Sequence, residues 1–255
     1  MTIGLNWLPE TAYLYLIVFA RVGSMLMFMP GLGERSIPAR MRLGFALVFA
    51  LVLYPLLRPQ LPALPTEIMA IIMMLFHEII IGLMLGALMR FFVSAAQVAG
   101  AIIAFQVGLS AAMMADPNQG GVQGAVFGTF LSFLGIALIF ATDLHHMTLS
   151  AIYDSYMVFS PTEPLMVGDA AQAAIRAVTG SFLVGVQMAA PFIVFGLIFN
   201  LGMGILSRLM PALQVYFMAM PANIWVGLLL FGLLLAMMMG WYLTHFEAEL
   251  ATLRV

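Results

Sequence analysis

Long apolar runs separated by short polar breaks fill the chain, and nowhere does the strict apolar–polar alternation of a half-buried strand appear. Asp, Glu, Lys and Arg are missing from 91–115, 117–142, 177–207 and 209–246. Roughly 20 apolar residues in a helix cross a bilayer core. Each of these runs is long enough, and the last exceeds one simple span. Lipid cannot satisfy a free backbone amide, so helix is the default throughout. The pattern predicts helical segments at about 11–29, 43–57, 68–90, 91–114, 122–142, 144–159, 177–207 and 211–246. Segments 43–57 and 144–159 are short for a full crossing. The first apolar helix has no basic stretch before it. It is expected to stay as a membrane segment and not to be cleaved as a signal peptide.

The breaks carry the orientation signal. Arg35, Arg40 and Arg42 outweigh Glu34 in 30–42, which places that loop in the cytoplasm by the positive-inside rule. Residues 58–67, "RPQLPALPTE", hold three prolines and read as a stiff connector. Residues 160–176, with Pro161, Glu163, Pro164 and Asp169, read as the most polar later loop.

Composition narrows the class. The chain is 64% hydrophobic and 8% charged, against roughly a quarter charged in soluble proteins. It is an integral membrane protein. A net charge of −2 gives no reason to expect a nucleic-acid partner. With no cysteine there is no disulfide, Fe–S cluster or thiol nucleophile. With no lysine there is neither a Walker A lysine nor a Schiff base. No nucleophile–base–orienter set emerges and no cofactor is expected, so an enzyme is not the reading.

Three groups of residues draw notice. Glu78 lies inside an apolar run beside His77. An intramembrane carboxylate points at a partner or a wet cavity. It is either a proton relay or a structural pair with Arg21 or Arg90. Asp143, His145 and His146 stand together as three donor types, but i, i+2 and i+3 share no helix face well. A polar helix junction is the reading there, not a metal site. Small residues recur at helix-packing spacing: Gly82 with Gly86, and Gly120, Gly124 and Gly128. Small residues let helix backbones approach closely in membranes, within the chain or against another subunit. The 23 methionines read mainly as flexible core filling.

The break at 104–128, "AFQVGLSAAMMADPNQGGVQGAVFG", is the least ordinary. Asp116-Pro117-Asn118 is a turn signal, and Gly120-Gly121 adds backbone freedom. By residues alone it is a tight turn between two helices.

The order of motifs resembles the FliR family, the export-gate subunit of flagellar type III secretion. The resemblance rests on "FARVGSMLMFMPGLGERSIPARMRLGFALVFALVLYP", with Arg21, Gly23, Pro30, Gly31, Pro38, Arg42 and Pro55. It continues through Glu78, Gly82 and Gly86, "AGAIIAFQVGLSAAMMADPNQGGVQG", "HHMTLSAIYDSY" and "SRLMPALQVYFMAMPANIWVGLLL", almost the whole chain. Departures are Leu144 where the family often has Gly, the run Pro211 to Val215, which places Gln214 later than the family's Pro-Gln-x-Asn and drops its Asn, and Ala222-Asn223 where a basic residue often follows the second Pro.

The resemblance implies an all-α polytopic membrane protein of kinked helical hairpins, a single export-gate domain over 1–255 with an internal plug loop. It implies FliP-like and FliQ-like gate subunits, a FlhB-like switch protein, unfolded export substrates, and a place in the bacterial inner membrane at the flagellar basal body. It implies that 106–122 projects into the channel as a plug, with Gln106, Gly108, Ser110, Met113, Met114, Asp116, Pro117, Gly120 and Gly121 as its residues. A virulence-type secretion gate subunit stays open. So does a stand-alone transporter using Glu78 and the Asn200–Gly204 break, "NLGMG".

Overall fold

A computed structural model describes residues 8–34, 36–109, 125–163, 167–210 and 215–252. It is all-α: among the described residues there is no strand. The helices are α1 (Leu8–Leu26), α2 (Ala39–Leu57), α3 (Ile68–Gln106), α4 (Ala125–Ala141), α5 (Leu144–Val158), α6 (Val167–Leu209) and α7 (Val215–Ala251). A 3-10 turn over Arg58–Gln60 extends α2.

Among the described residues, four stretches are long and apolar enough to cross a membrane, Ala39–Gln60, Ile68–Gln106, Gly168–Leu209 and Met218–Ala251, and Val126–Ala141 with Leu144–Val158, bent by 80°, makes a fifth if the pair is one span. The protein is a polytopic helical membrane protein. Several expected boundaries change. Segments 68–90 and 91–114 are one helix of 39 residues, ending at Gln106. Segment 43–57 begins four residues earlier, because Pro38 sits extended at φ −56° and ψ 139° and releases the helix from Ala39. With its 3-10 turn it reaches the 22 residues of a candidate span. The expected loop at 160–176 is shorter than its polarity suggests. α6 starts at Val167 with Asp169 in its first turn, where a negative charge complements the helix dipole. α1 falls short of the length-and-hydropathy test that α2 passes, since Glu10 and Arg21 interrupt it.

The chain forms two compact units. The first comprises 1–91, 142–177 and 248–255. Its core is α1, whose Leu14, Ile17, Val18, Val22 and Met25 are buried. α2 lies against α1 with Ala46, Ala50, Leu53 and Leu57 inward. The Tyr13 hydroxyl reaches Met74 Sδ of α3 at 2.9 Å, and the Tyr15 hydroxyl donates to Leu47 O of α2 at 3.0 Å. After α2, Pro59, Pro62 and Pro65 prevent further helix.

The second unit comprises 92–141 and 178–247. Phe231 of α7 is its aromatic centre. Phe127 of α4 meets it edge-on at 4.8 Å between centroids, and Phe192 of α6 lies at 6.3 Å. α3 and α4 touch backbone to backbone at Gly100 and Gly128. The small-residue series that includes Gly128 thus packs within the chain at that position; Gly120 and Gly124 lie outside the described residues.

Candidate functional site

In the first unit the chemistry gathers on Arg21 of α1. The α1–α3 crossing is close because Gly82 and Gly86 stand where α1 passes. A Cβ at Gly82 would overlap Ser24 Oγ and Arg21 O, and one at Gly86 would lie 2.8 Å from Met25 O. One turn before Gly82, the same approach brings Glu78 to Arg21 as a two-pronged pair. Arg21 Nε donates to Glu78 Oε2 at 2.6 Å and Nη2 to Oε1 at 2.9 Å. Nη1 donates to Ser155 O of α5 at 3.0 Å. The guanidinium lies 3.9 Å from the Tyr156 ring centroid, a cation–π geometry. The Tyr156 hydroxyl donates to Val18 O at 3.4 Å. Arg21 and Glu78 are both fully buried. Three helices are thereby tied at one point by a neutral, hydrogen-bonded pair, the form in which buried charge is tolerated.

Arg90, the other candidate partner for Glu78, lies elsewhere. Its Nη1 pairs with Glu34 Oε1 and ties residue 34 to α3. The Arg90 side chain is 42% exposed. Such pairs contribute little, so Glu34→Ala should lower stability by less than about 1 kcal/mol in a thermal unfolding series.

In the second unit the end of α3 sits in a seat made by α6 and α7. A Cβ at Gly196 would overlap Gln106 Oε1, and one at Gly227 would lie 2.6 Å from both methyls of Val107. Asn223 Nδ2 donates to Gln106 O at 3.4 Å. Gly108 then turns the chain with φ +84°, a conformation that favours glycine. Its N–H returns to Phe105 O at 3.2 Å.

The family model described as "Bacterial export proteins, family 1" matches residues 12–248. Flagellar biosynthetic protein FliR of Caulobacter vibrioides is 46% identical over 224 residues, 88% of this chain and 89% of that protein. The chain belongs to the FliR family of bacterial export proteins. Its FliR relative in Escherichia coli is 30% identical over 233 residues, covering 91% of this chain and 86% of that one. The FliR of Bacillus subtilis is 29% identical over 220 residues, covering 85% and 83%.

Of the residues that the FliR resemblance assigns to a plug, Gln106 and Gly108 lie at the seat just described. Ser110, Met113, Met114, Asp116, Pro117, Gly120 and Gly121 lie outside the described residues. Asp143, His145 and His146 come closer together than their spacing suggested: one ligand atom from each lies within 4.8 Å of the others. Asp143 is not helical. It stands before α5 in the left-handed region at φ 60°, so the one-face argument does not apply to it. His146 Nε2 is 4.0 Å from Asp143 Oδ1, and both side chains are largely exposed. Among the described residues no fourth His, Cys, Asp or Glu joins them. The positive end of α5 also disfavours a cation there.

Ser155, Tyr156, Gly196, Asn223 and Gly227 were not singled out as site residues from sequence. Asn223 had a usable signal: it is a polar side chain inside the charge-free run 209–246. For Ser155 the group in use is a backbone carbonyl, which has no sequence signature.

Proposed function

We propose that this protein is a subunit of the flagellar type III export gate in the bacterial inner membrane. It forms part of the wall of a protein-conducting channel, together with FliP-like and FliQ-like subunits and a FlhB-like switch protein. Unfolded flagellar proteins pass through the gate, and residues 106–122 plug it. The chain performs no bond chemistry. The observation that carries this reading is kinship over 88% of the chain, at 46% identity, with a protein named for flagellar biosynthesis.

The residues of the loop suit the task. A plug has to seal against ions yet give way to a polypeptide. Gly108, Ser110, Ala111, Ala112 and Ala115 are small enough for a narrow lumen, and Met113 and Met114 can deform around a neighbour. Non-helical backbone at membrane depth is tolerated when protein or water surrounds it.

Glu78 supports the gate over a transporter. Both of its oxygens accept from Arg21 in a fully buried site, an arrangement that favours a structural pair over a proton relay or an ion ligand.

Two measurements test the proposal. Native mass spectrometry of the tagged chain, co-expressed with FliP-like and FliQ-like subunits, should show one stable hetero-oligomer. A folded monomer that ignores those partners would move the reading to a transporter. Shortening 109–119 in the assembled gate should raise ion leak in a planar bilayer; an unchanged leak removes the plug.

A further inference from the structure

Asn223 is 9% exposed, and its side-chain oxygen has no hydrogen-bond partner among the described residues. A buried amide with one orphaned atom lowers stability. Its remaining bond is therefore informative. It runs 117 positions along the chain, from Nδ2 to the carbonyl of Gln106, the last residue of α3. The same nitrogen stands 2.8 Å from where a Cβ on Gly108 would project. Gly227, one turn along α7 from Asn223, receives the Val107 side chain, while Gly196 of α6 receives the Gln106 amide. Consecutive residues 106, 107 and 108 are thus each held by a different contact, two of them at glycine notches.

We propose that Asn223 is the positioning residue for the root of the loop. It pins the end of α3 in this seat and so fixes where the following segment begins. The inference rests on the plug reading. The seat is a fixed mount for residues 106–108. Asn223 acts through Gln106 and Gly108 and touches no substrate.

The test uses the gate assembled with its FliP-like and FliQ-like subunits, in planar bilayers. Asn223→Leu keeps the branched shape, removes the orphaned oxygen and takes the donor from Gln106 O, so a purely structural role changes thermal stability but leaves the leak at baseline. If the residue positions the root, ion leak rises about tenfold, the population shift expected from one lost hydrogen bond. The protein has no cysteine, so a single engineered bridge is unambiguous. A Cβ at Gly227 lies 3.0 Å from Val107 Cβ, about half an ångström short of the disulfide range, so the pair closes after a small backbone shift. Adding Val107→Cys and Gly227→Cys to Asn223→Leu should return the leak to baseline on oxidation and restore it on reduction.

A leak within about twofold of the unsubstituted gate, where roughly tenfold is expected, overturns the inference if the 109–119 deletion does leak. A leak that persists through oxidation overturns it too. If the deletion itself stays tight, the plug reading has failed and this inference fails with it. Should Asn223→Leu not assemble alone, it is assembled in the oxidised crosslinked form and then reduced. The absence of a new leak at that step is equally fatal.

Discussion

Glu78→Ala is expected to abolish stable assembly. The substitution leaves the Arg21 guanidinium fully buried with only Ser155 O and the Tyr156 ring as partners. Removing one member of a buried pair costs about 3–5 kcal/mol, a large share of the roughly 5–15 kcal/mol that a domain has. Stability in graded denaturant should fall by that amount, with little folded complex recovered. Arg21→Met with Glu78→Leu should regain most of it, because a well-packed apolar pair often replaces a buried ion pair at little cost. This double variant also decides the role of Glu78. A structural pair predicts that the rescued gate still exports substrate. A proton relay predicts a folded gate that does not export, and that outcome would end the structural reading.

Gly100→Ala is expected to be the most damaging small substitution. A new Cβ would overlap Gly128 N and Cα and lie 2.7 Å from Phe127 C, all backbone atoms. Backbone cannot rotate aside as a side chain can, so α3 and α4 must separate. Alanine gains about 1 kcal/mol over glycine in helix propensity, but strain from overpacking runs at about 1–3 kcal/mol or more. Because the overlap is with backbone, strain falls toward the upper end of that range, and a net loss of up to about 2 kcal/mol follows. Gly232→Ala is the control. Nothing lies within 4 Å of its projected Cβ, so propensity alone acts and stability should stay level or rise by about 0.5–1 kcal/mol. Thermal unfolding of both variants in one detergent checks the difference in sign. Equal behaviour would mean that the α3–α4 approach is looser than it looks.

The sequence by itself determined the all-α polytopic class, the rough position of most helices, and the family. Each depends on local properties: an apolar run, the absence of charge, a proline, an ordered series of motifs. Tertiary structure decided the rest, because it turns on partners far along the chain. The expected break between 90 and 91 is absent: α3 runs through Arg90, whose side chain pairs with Glu34, 56 positions back along the chain. Asp143 escaped the one-face argument by taking a left-handed turn that no periodicity encodes. Glu78 had two possible arginines by sequence. Arg21, 57 positions away, became its partner because Gly82 and Gly86 let α1 come close enough for both prongs. The seat of Gln106 at Asn223, Gly196 and Gly227 could not be read from the sequence for the same reason: a glycine notch has meaning only once another helix fills it.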